Sequence, residues 1–233
     1  MQLTVREAAG HLGVDDATVR RWISQRGLPA HHAQERLYIN PVELWEWAIA
    51  QGIAVSRRLL DQDRAAPDDV PSLANLLRAG GIFHDLAGRT KEDVLRAFVE
   101  LLPLPPDQDR AFLFSVLEAR EAMGSTGIGD GIAIPHVRNA IVLHVEEPFV
   151  SLALLTHPID FGATDGQPVH ALFMVVSPTI PAHLKILSRL AFALRDAELR
   201  ARLARRAAAD EILDRVAVVE ATKTTGSFRA APP

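Results

Sequence analysis

The chain has 233 residues, 48% of them hydrophobic, which is enough for one large core or two modest ones. It contains no cysteine, so a disulfide framework and thiolate zinc sites are excluded. Its 25 Lys and Arg against 29 Asp and Glu leave a net charge of −4, so any affinity for nucleic acid has to come from a local patch. Arg6, Glu7, His11, Asp15 and Asp16 interrupt the N-terminus, and no signal peptide is expected. The apolar run Ala171 to Val176 is far too short to cross a bilayer; a cytoplasmic chain without membrane insertion is expected.

The first sixty residues form a unit of their own. Leu3 to Leu12 has a short amphipathic helical pattern, Gly13 and Val14 make a turn, and Asp15 or Asp16 can cap a second helix running towards Arg26. This spacing suits a helix-turn-helix. Leu3 to Ala30, LTVREAAGHLGVDDATVRRWISQRGLPA, resembles the small winged DNA-binding module of MerR and excisionase type, with Glu35 to Asn40 as the wing strand and VELWEWAIAQG, Val42 to Gly52, as a closing helix. The resemblance implies that Arg20, Arg21 and Arg26 lie on or near the recognition helix and Arg36 in the wing. Arg20 and Arg21 then point about 100° apart, which suits simultaneous contact with a groove wall and a phosphate. Trp22 is expected as a core anchor. Trp45 and Trp47 are two apart and do not share one helix face, so one is expected to stay partly exposed for a dimer or domain contact. From Met1 to Leu60 there are seven arginines against six acids, a net of +1. A single copy should therefore bind duplex DNA weakly, and a homodimer or a partner is expected for specific binding; protein recognition stays open as the alternative role.

Asp61 to Pro71, DQDRAAPDDVP, reads as an acidic, proline-containing linker to a second domain over residues 72–221. There, Leu73 to Leu77 reads as a short helix. Lys91 to Leu102 is a second, with Leu95, Phe98, Val99 and Leu102 on one side, and Asp107 to Met123 a third that ends beside a glycine-rich loop. In EAMGSTGIGDGIAIPH, Glu121 to His136, the glycines Gly124, Gly127, Gly129 and Gly131 permit positive φ and close backbone approach. Ile132 to Ile134 reads as a short buried strand that Pro135 ends, presenting His136 at its edge. A histidine there can carry a proton, a metal or a phosphoryl group. Phe149 to Leu155 and Val169 to Val176 read as buried strands. Thr179 to Asp196 has helical spacing, with Pro181 at its start and His183 in the opening turn, where free N–H groups and the helix dipole favour an anion. Glu198 to Arg215 reads as a final helix, and Thr222 to Pro233 as a mobile tail. His31 and His32 fall in a turn, while His144, His157 and His170 lie in or near strands. Their spacing supplies no converging ligands, so no metal is expected.

Three segments in order carry a second resemblance: Arg120 with GSTGIG at Gly124 to Gly129, GIAIPH at Gly131 to His136, and the HLxxLSRLA helix from His183. Pro158 to Pro178 adds a weaker match. Ser72 to about Ala221 is similar to the fructose/mannitol/nitrogen-regulatory type of enzyme IIA domain of the bacterial phosphotransferase system. That resemblance implies an α/β fold with a mixed central sheet flanked by helices. It also implies a phosphoryl group accepted by His136 from the phosphocarrier HPr, with His183 as the second active-site histidine, Arg120 near the phosphoryl group, and no cofactor. A surface salt bridge with Glu118 or Glu121 is the plainer role open to Arg120. Thr126 is placed either against phosphate or imidazole or as a turn cap. The family pattern has a small residue after the histidine, and Val137 departs from it. The function implied is a regulator that couples phosphorylation to DNA or partner binding, with transfer to a separate sugar-specific IIB component, or a binding-only role that keeps the fold, as alternatives.

Overall fold

Thr4 decides where the first helix begins. Its hydroxyl accepts from the Glu7 amide at 3.3 Å while the Glu7 carboxylate accepts from the Thr4 amide at 2.8 Å, a closed capping box. The computed structural model describes residues 3–33, 36–51, 53, 55–56, 70–106, 108–136 and 145–226, in two units, Met1–Asp68 and Asp69–Pro233.

In the first unit Leu3–Thr4 is a strand (β1) and the helix α1 covers Val5–Leu12, so the helical reading of Leu3 is corrected by the cap at Thr4. Gly13 closes α1 at φ 66, and Asp15 caps α2, Asp16–Gln25, by accepting from the Thr18 amide at 2.7 Å. The strands β2, His31–Ala33, and β3, Arg36–Ile39, form an antiparallel pair in a sheet of order β1-β3-β2, and α3 covers Pro41–Ala50. The wing is therefore a strand pair, and His31 and His32 belong to it rather than to a turn. The His31 ring lies 2.6 Å from the buried Glu43 carboxylate. Trp45 and Trp47 are both buried, which overturns the expectation of one exposed ring. Trp47 packs against the half-buried Trp22 with centroids 5.2 Å apart and donates its indole N–H to the Arg26 carbonyl at 2.9 Å.

The second unit is built on a five-stranded mixed sheet of order β4-β7-β8-β6-β5. Its strands are β4, Ile82–Leu86; β5, Gly127–Gly129; β6, Ile132–Ala133; β7, Phe149–Ile159; and β8, Val169–Val176. β7 and β8 run antiparallel, β4 parallel to β7, and β6 parallel to β8. On one face Phe149, Ala153, Leu155, Leu172, Met174 and Val176 meet apolar residues of α5, Lys91–Leu101, and α6, Arg110–Ala122. The alternate residues, among them Val150, Leu152, Leu154, Phe173 and Val175, are buried under α4, Leu73–Gly80, α7, Ile180–Ala193, and α8, Ala197–Ala204. Burial on both faces explains why these strands read as continuous apolar runs rather than alternating ones.

Several boundaries differ from the sequence reading for local reasons. The expected helix Glu198 to Arg215 is broken: α8 ends where Arg206 adopts φ 54, and α9 runs over Ala209–Gly226. The segment expected as tail thus begins inside α9, and residues 227–233 lie outside the described part. Glu220 of α9 accepts from the Leu73 and Ala74 amides at 2.7 and 3.3 Å, capping α4 from across the unit. At the C-terminal end of the linker, Val70 is buried and its carbonyl is held by Arg189 at 2.8 Å; residues 61–69 lie outside the described part. Among the described residues no helix is long and apolar enough to cross a membrane.

Candidate functional site

Parallel pairing of β6 with β8 brings their C-terminal ends side by side, where open α/β sheets place their ligands. His136 leaves β6 after Pro135, and His183 sits on α7, which follows β8. The two histidines are 47 positions apart in sequence, yet their rings lie 5.2 Å apart between centroids, with planes at 43°. Both are nearly sealed, at 3% and 2% exposure.

The His136 ring is oriented by its own chain. Nδ1 lies 2.6 Å from the Ile134 carbonyl oxygen. A carbonyl only accepts, so Nδ1 carries the proton and the lone pair falls on Nε2. Ile134 is itself tied down, donating its amide to the Thr126 carbonyl at 3.0 Å after regular pairing in β6 has ended.

The hairpin β5–β6 that carries His136 turns through Asp130 and Gly131, at φ 52 and φ 74. Two consecutive positive φ values are those of the type I′ turn that closes two-residue hairpins, for which Asp-Gly is a favoured pair. Both strand and turn went unread in the sequence, although the dipeptide announced them. Gly131 also lies against His170: an added Cβ would come 2.1 Å from the His170 Nδ1. Desolvation holds the His170 imidazole pKa below its ordinary value.

Arg120 ends α6, is buried, and donates to the Gly124 carbonyl at 2.8 Å, so the guanidinium reaches the glycine-rich loop as expected. Its burial is not that of a residue in a surface salt bridge with Glu118 or Glu121. The buried Glu121 carboxylate instead accepts from the Thr126 amide at 3.0 Å and from the Thr126 hydroxyl, and pairs with Lys91 at 3.1 Å. Of the two roles open to Thr126, these contacts are those of a residue that holds the turn: its hydroxyl proton goes to Glu121. Ser125 ties the same loop to the Phe161 carbonyl at 2.7 Å.

The start of α7 differs from the expected anion site. Thr179 is the cap, and its hydroxyl takes the Ala182 amide at 3.3 Å while its carbonyl takes the His183 amide at 3.0 Å. Pro181 has no N–H. Of the opening amides described, those of Ala182 and His183 are both taken by Thr179, so the helix start does not present a nest of free donors. Val137 and His144 lie outside the described residues. Among the described residues no cluster of three or more His, Asp or Glu is arranged to hold a metal.

Residues 75–217, more than half of the chain, match the family model described as phosphoenolpyruvate-dependent sugar phosphotransferase system, EIIA 2. The chain belongs to this EIIA 2 family. The EIIA 2 segment is 37% identical over 134 residues to the nitrogen regulatory protein of Pseudomonas aeruginosa, an alignment covering 56% of this chain and 85% of that protein. It is 32% identical over 145 residues to the fructose-specific EIIABC component of Bacillus subtilis, covering 61% of this chain and 22% of that larger protein. The crystal structure of the nitrogen regulatory protein IIA-Ntr from Neisseria meningitidis superposes with a TM-score of 0.54 at 29% identity, covering 61% of this chain and 97% of that one. Residues 3–52 match a helix-turn-helix domain model. On that module Arg20 and Arg21 are exposed on α2, Arg26 is exposed at its end with its guanidinium 6.0 Å from the Trp22 ring centroid, and the backbone of Arg36 opens β3.

Proposed function

We propose that this EIIA 2 chain is a phosphotransferase-system regulator that accepts a phosphoryl group from an HPr-type phosphocarrier on His136 and couples that state to what its N-terminal helix-turn-helix module engages, with duplex DNA as the ligand. The observation that carries the reading is the His136–His183 pair, with the Nδ1 proton of His136 given to Ile134. The Nε2 lone pair attacks phosphorus, the bond to the donor's imidazole breaks, and the donor nitrogen leaves with that electron pair. Arg120 supplies a planar cation for the phosphoryl oxygens, and His183 packs against the accepting ring. Transfer between two imidazoles is nearly balanced in energy, so positioning and charge stabilisation do most of the work.

A phosphoryl group adds about two negative charges and three strong acceptor oxygens. With a net charge of only +1 from Met1 to Leu60, a single module sits near the threshold for holding DNA phosphates, where an added anion has a large effect. The test compares DNA affinity of phosphorylated and unphosphorylated chain at several salt concentrations; equal affinities throughout would refute the coupling. The likeness to the Bacillus subtilis fructose-specific component favours a second reading, in which the chain passes its phosphoryl group to a separate sugar-specific IIB. Phosphate appearing on purified IIB in the same incubation would support it.

A further inference from the structure

Arg120 and Glu121 are neighbours in the last turn of α6, and both are buried. A buried carboxylate needs a cation, and the arginine next to it in sequence is one candidate. Here the Glu121 oxygens are spent elsewhere, on the Thr126 amide and hydroxyl and on Lys91. Lys91 comes from the first turn of α5, and its ammonium is fixed from the other side by the Phe161 ring, 4.6 Å from the centroid. The Lys91 side chain is 29% exposed, so its charge costs little to hold, whereas the Glu121 side chain, at 4%, needs a cation. Phe161 is in turn the residue whose carbonyl anchors Ser125. The glycine-rich loop is thus held at Gly124 by Arg120, at Ser125 by Phe161 and at Thr126 by Glu121.

We propose that Lys91 is a positioning residue of the phosphoryl site: by neutralising Glu121 it keeps the adjacent Arg120 guanidinium directed at the loop and at the phosphoryl oxygens, instead of folded back onto its neighbour's carboxylate. The proposal rests on the reading of His136 as the phosphoryl acceptor. Without Lys91, the buried carboxylate draws on Arg120 for its cation, and the guanidinium charge is then spent on Glu121 instead of on the incoming dianion. That loss slows transfer.

The experiment is a charge cycle in the full chain: native, Lys91→Met, Glu121→Gln, and the double variant, with Lys91→Arg as the conservative replacement. Initial rates of phosphoryl transfer from phosphorylated HPr are measured, and the side-chain ¹⁵N resonances of Arg120 are followed by NMR in each protein without phosphate. Lys91→Met is expected to slow transfer on the order of ten- to a hundredfold, the loss typical of a displaced catalytic cation. Lys91→Arg and the double variant are expected to recover most of the rate, because in the double variant no unpaired carboxylate remains. The Arg120 resonances should move in Lys91→Met and return in the double variant. A native rate for Lys91→Met, or a double variant as slow as the single one, overturns the proposal. If the native chain takes no phosphate from charged HPr, the acceptor reading is what fails; the NMR cycle then decides alone, and Arg120 resonances unchanged by Lys91→Met overturn the proposal.

Discussion

Gly131→Ala attacks the turn that carries His136, and its cost can be worked from two independent features. The residue has φ 74, where an L side chain costs about 1–2 kcal/mol. The new Cβ would lie 2.1 Å from the His170 Nδ1, and the two backbones cannot separate to relieve it without breaking the bonds from the His170 and Ala171 amides to the Gly131 carbonyl. Overpacking of this kind costs about 1–3 kcal/mol. The total is about 2–5 kcal/mol, and with a mid-range urea slope of about 2 kcal/mol per molar the midpoint of the second unit falls by about 1–2.5 M. The chain separates the signals by itself, since its three tryptophans, Trp22, Trp45 and Trp47, and its one tyrosine, Tyr38, all lie in the first unit. Far-ultraviolet circular dichroism should show the shift while tryptophan fluorescence does not. In a His170→Ala background, Gly131→Ala should cost only the backbone part, about 1–2 kcal/mol. A loss under about 0.5 kcal/mol, or the same loss in both backgrounds, would refute the reasoning.

Three further outcomes follow from other parts of the molecule. Asp196 is bound by Arg215 at 2.8 and 2.7 Å and caps α8, and the Arg215 hydrogen bonds hold its carboxyl pKa down, from 3.8 to about 2. A depressed carboxylate stabilises the fold above its unfolded pKa, so this contribution is full above about pH 4 and is lost as pH falls towards 2. It amounts to about 1–2 kcal/mol after allowance for solvent screening, and Asp196→Asn should flatten acid unfolding by that much. Glu220→Ala should remove the cap that α9 places on α4 and cost about 1–2 kcal/mol in denaturant titrations, against under about 0.5 kcal/mol for the exposed Asp214→Ala used as control. If the module binds DNA, Arg20→Ala and Arg21→Ala should each lower affinity and reduce the slope of log affinity against log salt by about one where a phosphate is lost; unchanged slopes would remove both residues from the interface.

How much of this was legible in the sequence varies with how local the cause is. The pairing of Thr4 with Glu7, the strand ended by Pro135 and the helix from Thr179 are written in neighbouring residues. The edge strand β4 was missed because its burial does not alternate: His84 and Asp85 face outward at a bulge, His84 donating to the Ala207 carbonyl at 2.9 Å and Asp85 pairing with Arg206 at 2.8 Å. The break between α8 and α9 was missed because it falls at Arg206, where neither glycine nor proline signals it. The exposed tryptophan was a misreading of helix geometry as sufficient, since tertiary packing covers both Trp45 and Trp47. At the site, motif order named His136, His183 and Arg120 as candidates, whereas the contact of Lys91 with Glu121 joins residues 30 apart, which no spacing rule contains.

The most direct measurement is intact mass, with acid lability, after incubation with phosphoenolpyruvate, enzyme I and HPr, on the native chain, His136→Ala and His183→Ala. The account expects one acid-labile phosphoryl group on the native chain, none on His136→Ala, and a slower but still acid-labile addition on His183→Ala. Phosphate persisting on His136→Ala, or none on the native chain while HPr itself is charged, would contradict it.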